Sequence, residues 1–377
     1  MGVHVGACVL FLFQLSSLVL GEVLPLPPFN VTQKDLQQKL SLGNINLDVP
    51  ALYVFGDSFV DAGNNNYLKT KAKADYSPYG SDFGGKATGR NTNGRLAVDF
   101  IAKVAGLPYA PPALGMSEAD KKNTVTGVNY GSASSGVLPE PPQMEKLMGD
   151  VLSFDEQIAL FEKTAENLKS QFSTQNMSKS LFFIHSASND FGLGWMLANK
   201  HHFTPEAFAP YVADELSKRL QKLYALGARK FLVNNVSPLG CQPYNIMQQK
   251  PTTACVEEMN QRITAYNKLL PKVLSNLQSK LPGSTFVLGD LYKIFEDVVA
   301  SPASYGFTNV KDACCFTDLG KGTVICTPQS VPCQDRNAHV YYDPYHPTER
   351  MHLIWATRLL KDSSVVSPMT LVQLLQA

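Results

Sequence analysis

Charge bias is missing from this chain. Its 377 residues carry 33 Lys and Arg against 32 Asp and Glu, a net charge of +1, with no basic or acidic block. Nucleic acid as the main partner needs a concentrated positive face, so that class is excluded as a first reading. Internal repeats are absent, and so is any linker that would cut the chain in two. Apolar runs of membrane-spanning length are absent after residue 21. A Gly-x-Ser-x-Gly motif occurs nowhere, which argues against an ordinary α/β-hydrolase nucleophile elbow. What remains is a chain with 44% hydrophobic and 17% charged residues, a soluble globular protein with a sizeable core.

The first 21 residues read as a signal peptide. Val5 to Leu20 are nearly all apolar, the first charged residue is Glu22, and Val19 and Gly21 suit a small-residue cleavage site. The α-amino group and His4 are the only positive groups ahead of the apolar run, so an uncleaved anchor is the runner-up. Cysteine usage agrees with export. Cys8 leaves with the signal, and Cys241, Cys255, Cys314, Cys315, Cys326 and Cys333 form an even set of disulfide candidates with 15 possible connectivities. Zinc is the competing reading for the last four, although adjacent Cys314 and Cys315 lack the usual ligand gap. Asn30 and Asn176 head glycosylation acceptors; Asn235 also fits, but Pro238 and a strand position count against it.

Along the chain, residues 22–45 read as an irregular lead-in, 46–365 as one domain and 366–377 as a C-terminal tail. Short apolar runs at 51–55, 128–130, 181–184, 231–233 and 285–288 predict buried strands. Between them, a capping box at Ser153–Glu156 opens a helix with Phe154, Ile158, Phe161, Ala165, Leu168 and Phe172 on one face. Thr204 starts another, carrying Val212, Leu216, Leu220 and Leu223, and a long helix runs from Cys255 to about Lys280, kinked at Pro271. Leu96–Val104 reads as a short amphipathic helix and 347–360 as a final one. The stretch after Ser58, through Arg95, is rich in Gly, Asn, Tyr and Lys and has the composition of a surface loop. Strands alternating with helical crossovers mean a parallel sheet with helices on both faces.

The strand at 51–55 delivers Ser58 at its carboxyl end, where open α/β sheets bind ligands, and Gly56 lets the backbone turn tightly there. As a bare tripeptide, Gly56-Asp-Ser58 is also an ordinary polar turn. A nucleophilic serine needs a base, a carboxylate to orient it, and donors for the oxyanion. Among the seven histidines, His4 leaves with the signal, His201 and His202 lie in a polar loop, His185 and His352 read as structural, and His339 falls in the cysteine-rich stretch. His346 differs. It follows Asp343 by three residues, in a turn stiffened by Pro344 and Pro347, so the carboxylate can fold back onto Nδ1 and leave Nε2 to face Ser58.

Six fragments taken together resemble the GDSL esterase/lipase family of the SGNH hydrolase superfamily, in its plant secreted branch. They are Phe55-Gly-Asp-Ser-Phe-Val-Asp-Ala-Gly-Asn-Asn65, Thr88-Gly-Arg-Asn-Thr-Asn-Gly-Arg95, Gly127-Val-Asn-Tyr130, Ser188-Asn-Asp190, Pro238-Leu-Gly-Cys241 and Asp343-Pro-Tyr-His-Pro-Thr-Glu349. The resemblance implies a flavodoxin-like three-layer α/β/α fold with a central parallel five-stranded sheet. It implies Ser58 as nucleophile, His346 as base and Asp343 as orienter. The oxyanion hole would comprise the Ser58 N–H, the Ser134 N–H and the Asn189 side chain. Two departures stand out: Ala133 and Ser134 occupy positions where the family usually has a Gly-Gly or Ala-Gly pair, and Ala187 replaces a usual glycine. Both would narrow space near the acyl group.

The implied activity is hydrolysis of a carboxylic ester through an acyl-enzyme, with no metal or cofactor and with a small-molecule, lipid or cell-wall ester as partner. Transfer of the acyl group to an alcohol by the same triad is the alternative. An inactive binding protein on the same fold is the third reading, disfavoured because all four site residues are intact.

Overall fold

The computed structural model describes residues 23–139, 146–195, 203–320 and 324–377; the expected signal peptide and His201–His202 lie outside them. The central element is β1 (Leu52–Gly56), whose five residues are all buried. It pairs with β2 (Leu181–His185), which pairs with β3 (Lys230–Asn234), which pairs with β4 (Thr285–Gly289), all parallel and in continuous register. Alternate side chains point to opposite faces. Val54, Phe183, Leu232 and Val287 enter one core; Tyr53, Phe55, Phe182, Phe231 and Phe286 enter the other. A strand apolar on every residue is what two covered faces require.

Helices supply both covers. α1 (Gln33–Lys39), α2 (Ala97–Val104), α6 (Leu291–Ala300), α7 (Glu349–Lys361) and α8 (Leu371–Gln376) carry the first core; α3 (Phe154–Leu168), α4 (Pro205–Ala225) and α5 (Glu257–Lys280) carry the second. The expected faces of α3 and α4 are buried, except that Ala165 is half-buried and Phe172 packs from beyond the end of α3, and α5 runs on through Pro271. This is the three-layer α/β/α arrangement.

Several expectations need correction. The sheet has five strands among the described residues, but the fifth is β9 (Val366–Ser367), antiparallel to β4. Residues 128–130 instead lie along the outer edge of β1, joined by Val54 N to Val128 O and Tyr130 N to Val54 O. Their far side is taken by the proline segment, with Asn129 N donating to Pro111 O, so no longer ladder grows there. The lead-in is partly helical because Thr32 caps α1 and Leu36 and Leu40 reach the core. The tail is no appendage: Thr370 and Gln373 form a capping box, and Leu371, Leu374 and Leu375 are buried. Helix α2 is amphipathic as read, with Asp99 and Lys103 four residues apart on its polar face, but every residue except Lys103 is buried.

The polar stretch after Ser58 is the largest surprise. Asn64, Asn65, Arg90, Asn91, Thr92, Asn93 and Arg95 are buried, not solvated. Amide side chains here replace the backbone partners that regular structure would supply. Asn64 donates to Asn129 O and Gly131 O, and Asn65 to Ala72 O and Ala133 O. Arg90 pairs with Asp99, and Arg95 with Glu349.

In the cysteine-rich stretch, β5 (Asn309–Ala313) pairs with β8 (His339–Tyr341), and β6 (Thr317–Asp318) with β7 (Val324–Ile325). The six cysteines form Cys241–Cys255, Cys314–Cys333 and Cys315–Cys326. His339 stands beside the second pair, but sulfurs bonded to each other offer no thiolate, so the zinc reading falls.

Candidate active site

Gly56 adopts φ +142° where β1 ends, and a Cβ there would collide with the carbonyl oxygen of His185 on the neighbouring strand. Only glycine fits. Gln157 clamps this residue from α3, accepting from Gly56 N and donating to Gly56 O, each over 2.9 Å. Asp57 N donates to His185 O, and the next residue is Ser58.

Ser58 Oγ lies 2.8 Å from His346 Nε2, and His346 Nδ1 lies 2.8 and 2.9 Å from the two oxygens of Asp343. The turn that carries both residues precedes α7, whose cap is Thr348. The backbone N–H groups of Tyr345 and His346 both donate to Asp343 Oδ1 over 2.8 Å. Asp343 is 1% exposed and the imidazole 14%, so a substrate can reach the ring but not the carboxylate. Burial alone would raise the Asp343 pKa. The neighbouring His346 and the hydrogen bonds from His346, Tyr79 and the Tyr345 backbone outweigh it and hold the carboxyl below its ordinary value. Asp343 therefore stays ionised at neutral pH.

The other described histidines do not reach Ser58. His352 accepts from Ala97 N, and burial, reinforced by His346 and His185, pushes it down to about 3. His185 is fully buried, and that burial lowers its pKa against the pull of Asp57.

Among the described residues, the N–H groups of Ser58 and Ser134 donate to nothing, and Asn189 directs its amide nitrogen to Ser135 O over 2.8 Å. The segment carrying Ser134 is tied at both ends by buried carboxylates. Asp61 accepts from Ala133 N as well as from Gly63 and Asn64, and Asp190 accepts from Val137 and Leu138. Burial pushes each up to about 6, against those backbone hydrogen bonds.

Ser134 has φ +71° and Ala187 φ +85°, a region that favours glycine. Ser134 is half-buried. Ala187 is fully buried in the core of the α3 face, so its methyl does not narrow the open site as the sequence suggested.

Asp61, Asn64, Asn65 and Asp190 lie inside motif fragments but carried no role in the sequence reading. Tyr79 was missed altogether; its hydroxyl donates to Asp343 Oδ2 over 2.7 Å. It sits in the polar stretch with no local signal to single it out.

Residues 52–359 match the model of the family described as GDSL-like lipase/acylhydrolase. The chain is 38% identical over 335 residues to GDSL esterase/lipase At1g71691 of Arabidopsis thaliana, covering 86% of this chain and 85% of the relative. It is 37% identical over 328 residues to GDSL esterase/lipase 7 (84% and 88%) and 33% identical over 367 residues to GDSL esterase/lipase At1g71250 (95% and 92%), both from the same plant.

Proposed function

The chain belongs to the GDSL-like lipase/acylhydrolase family and is a serine esterase of carboxylic esters; on that premise we propose that Ser58, His346 and Asp343 carry the reaction. The observation behind this assignment is the 2.8 Å approach of His346 Nε2 to Ser58 Oγ, with Asp343 behind the ring. His346 takes the hydroxyl proton as Ser58 Oγ attacks the ester carbonyl carbon. The carbonyl oxygen becomes an oxyanion, received by the N–H groups of Ser58 and Ser134 and by the Asn189 amide. As the intermediate collapses, the carbon–oxygen bond to the alcohol breaks and His346 returns the proton to the leaving oxygen. Water then gives its proton to His346 and attacks the acyl carbon; the bond from that carbon to Ser58 Oγ breaks, His346 returns the proton to Oγ, and the acid is released. His346 accepts each proton in its neutral form, through the Nε2 lone pair that faces Ser58.

We also infer entry into the secretory pathway. The apolar segment Val5–Leu20 and the three disulfide pairs support it, and Asn30 is exposed as a glycan acceptor would be. No helix among the described residues is long and apolar enough to cross a membrane.

The test is labelling with a serine-directed fluorophosphonate, alongside turnover of acetyl, feruloyl and long-chain acyl esters with and without alcohol acceptors. The label should map to Ser58 and vanish in Ser58→Ala. That variant should lose several powers of ten in turnover. Folded Ser58→Ala protein with near-normal activity would rule the assignment out.

A further inference from the structure

The oxyanion donors assigned above come from turns after two different strands, Ser58 after β1 and Asn189 after β2. Their separation depends on how those turns are set against each other. Between them lies one side chain that the mechanism does not use. His185 ends β2 in register with Gly56 and is fully buried. Its Nε2 stands 3.4 Å from Ser188 Oγ, next to Asn189, and 3.7 Å from Asp57 Oδ1, next to Ser58. Its face stacks on Phe59, with centroids 5.1 Å apart and an interplanar angle of 24°, while Trp355 closes the ring edge at 5.2 Å. Phe59 in turn meets His346 edge-on at 5.9 Å, and its N–H is held by Asp57 Oδ1. One imidazole thus touches the residues on both sides of Ser58 and the residue before Asn189.

This arrangement is costly. His185 Nδ1, Asp57 Oδ2 and Ser186 Oγ are buried without hydrogen-bond partners, and orphaned groups of this kind weaken a fold. A leucine would fill the same layer without the orphaned Nδ1. A polar ring kept where an apolar one would pack better marks a positional duty. The contacts also select its state. A proton on Nε2 faces the Asp57 carboxylate and the Ser188 hydroxyl favourably, whereas the other tautomer would aim a lone pair at the carboxylate.

We propose that His185 is a positioning residue that sets the spacing of the Ser58 and Asn189 oxyanion donors, acting through Asp57 and Ser188. This rests on the catalytic assignment above. It touches no reacting atom, so its removal should leave ester binding intact while misplacing donors during attack; a misplacement of about 1 Å can cost on the order of 10²-fold.

The experiment compares His185→Leu, which keeps volume without a donor, with His185→Gln, whose amide N–H reaches the position of Nε2. Steady-state kinetics are read with thermal midpoints and with the nitrogen-15 resonances of the Ser58 amide and the Asn189 side chain. His185→Leu should lower kcat by about 10–100-fold with KM within about twofold, and melt no lower than the parent. Both resonances should move in His185→Leu, and His185→Gln should restore them together with most of kcat. Unmoved resonances, or kcat within about twofold of the parent in folded His185→Leu, would overturn the proposal, as would equal losses in the two variants. Should the leucine variant not fold, His185→Asn, whose shorter amide cannot reach Ser188, takes its place. The resonances are independent of turnover, so a wrong catalytic assignment, seen as activity surviving Ser58→Ala, is distinguishable from a wrong role for His185.

Discussion

Tyr79 and Asp343 are joined by a 2.7 Å hydrogen bond that spans 264 positions of the chain and completes the set of donors around a buried carboxylate. Burial raises the Tyr79 pKa first and the Asp343 charge raises it further, so the phenol remains a donor at any working pH. Tyr79→Phe keeps the ring and removes that donor. A hydrogen bond to a charged group contributes about 1.5–3 kcal/mol, and part of it should appear in the transition state, where Asp343 faces an imidazolium. We expect kcat to fall about tenfold with KM nearly unchanged, measured on a soluble acetyl ester. Equal kcat in the two proteins would show that the bond is purely structural.

Ser134 and Ala187 share a strained backbone but not a role. Ser134→Gly should shift preference toward bulkier acyl groups relative to acetyl if its half-buried side chain borders the acyl pocket, as its proposed oxyanion role implies. Ala187→Gly should leave the acyl profile alone, because that methyl is in the core. Both should relieve conformational strain of order 1 kcal/mol, offset in part by the freer unfolded chain. An acyl-chain series run on both variants separates them; identical profiles in parent and Ser134→Gly would place that side chain outside the acyl pocket.

Acid should expose His352. Its folded pKa is pushed below the ordinary 6.5, to about 3. The unfolded chain therefore takes up a proton near 6.5 that the folded protein refuses, and stability is lost as pH falls below that point, by about 1.4 kcal/mol per pH unit. Asp61 runs the other way. Its folded pKa is raised to about 6, so its contribution is full below the unfolded value near 3.8 and is lost as pH rises through 6. Urea midpoints at pH 7 and pH 5 should show His352→Gln losing less stability on acidification than the parent. Asp61→Asn, which has one acceptor oxygen for N–H groups that now reach two, should be less stable than the parent, by a smaller margin at pH 7 than at pH 5. Parallel pH dependence in all three proteins would contradict both assignments.

The disulfides should matter to the site as well as to the fold. Cys314, Cys315 and Cys326 pack with Tyr79 and Tyr342 in one small core, and Cys315 N donates to Tyr342 O, one residue before Asp343. Replacing Cys315 and Cys326 together by alanine should cost about 2–4 kcal/mol and lower kcat more than it raises KM. Thiol titration of denatured, unreduced protein lacking residues 1–21 should find almost no free thiol; several would refute the pairing.

How much of this was legible in the sequence varies by the kind of interaction. The strands at 52, 181, 230 and 285 could be read because burial on two faces leaves an unbroken apolar run. Ser58, Asp343 and His346 stand out only together, through the resemblance their fragments carry, because a turn after a strand, or a carboxylate three residues before an imidazole, is a weak signal alone. Strand β9 and helix α8 could not, since two and six residues carry too little periodicity. The polar stretch misled because asparagine reads as solvent-facing, while Asn64 and Asn65 spend their amides on distant carbonyls. Tyr79 was invisible for the same reason, its partner lying outside any sequence window.

The separation of Ser58 from His346, 288 positions apart along the chain, has a consequence for synthesis. Strands β1 to β4 are neighbours in the order in which they are made, so the sheet can grow outward as each leaves the ribosome. On the proposed assignment, the hydroxyl is present from the first strand, but its base arrives only with the turn before α7. At about 5–20 residues per second, the nascent protein holds an unarmed serine for roughly 15–60 s. Ester cleavage is thus withheld from every incomplete chain, and the appearance of activity reports that the two ends of the domain have met.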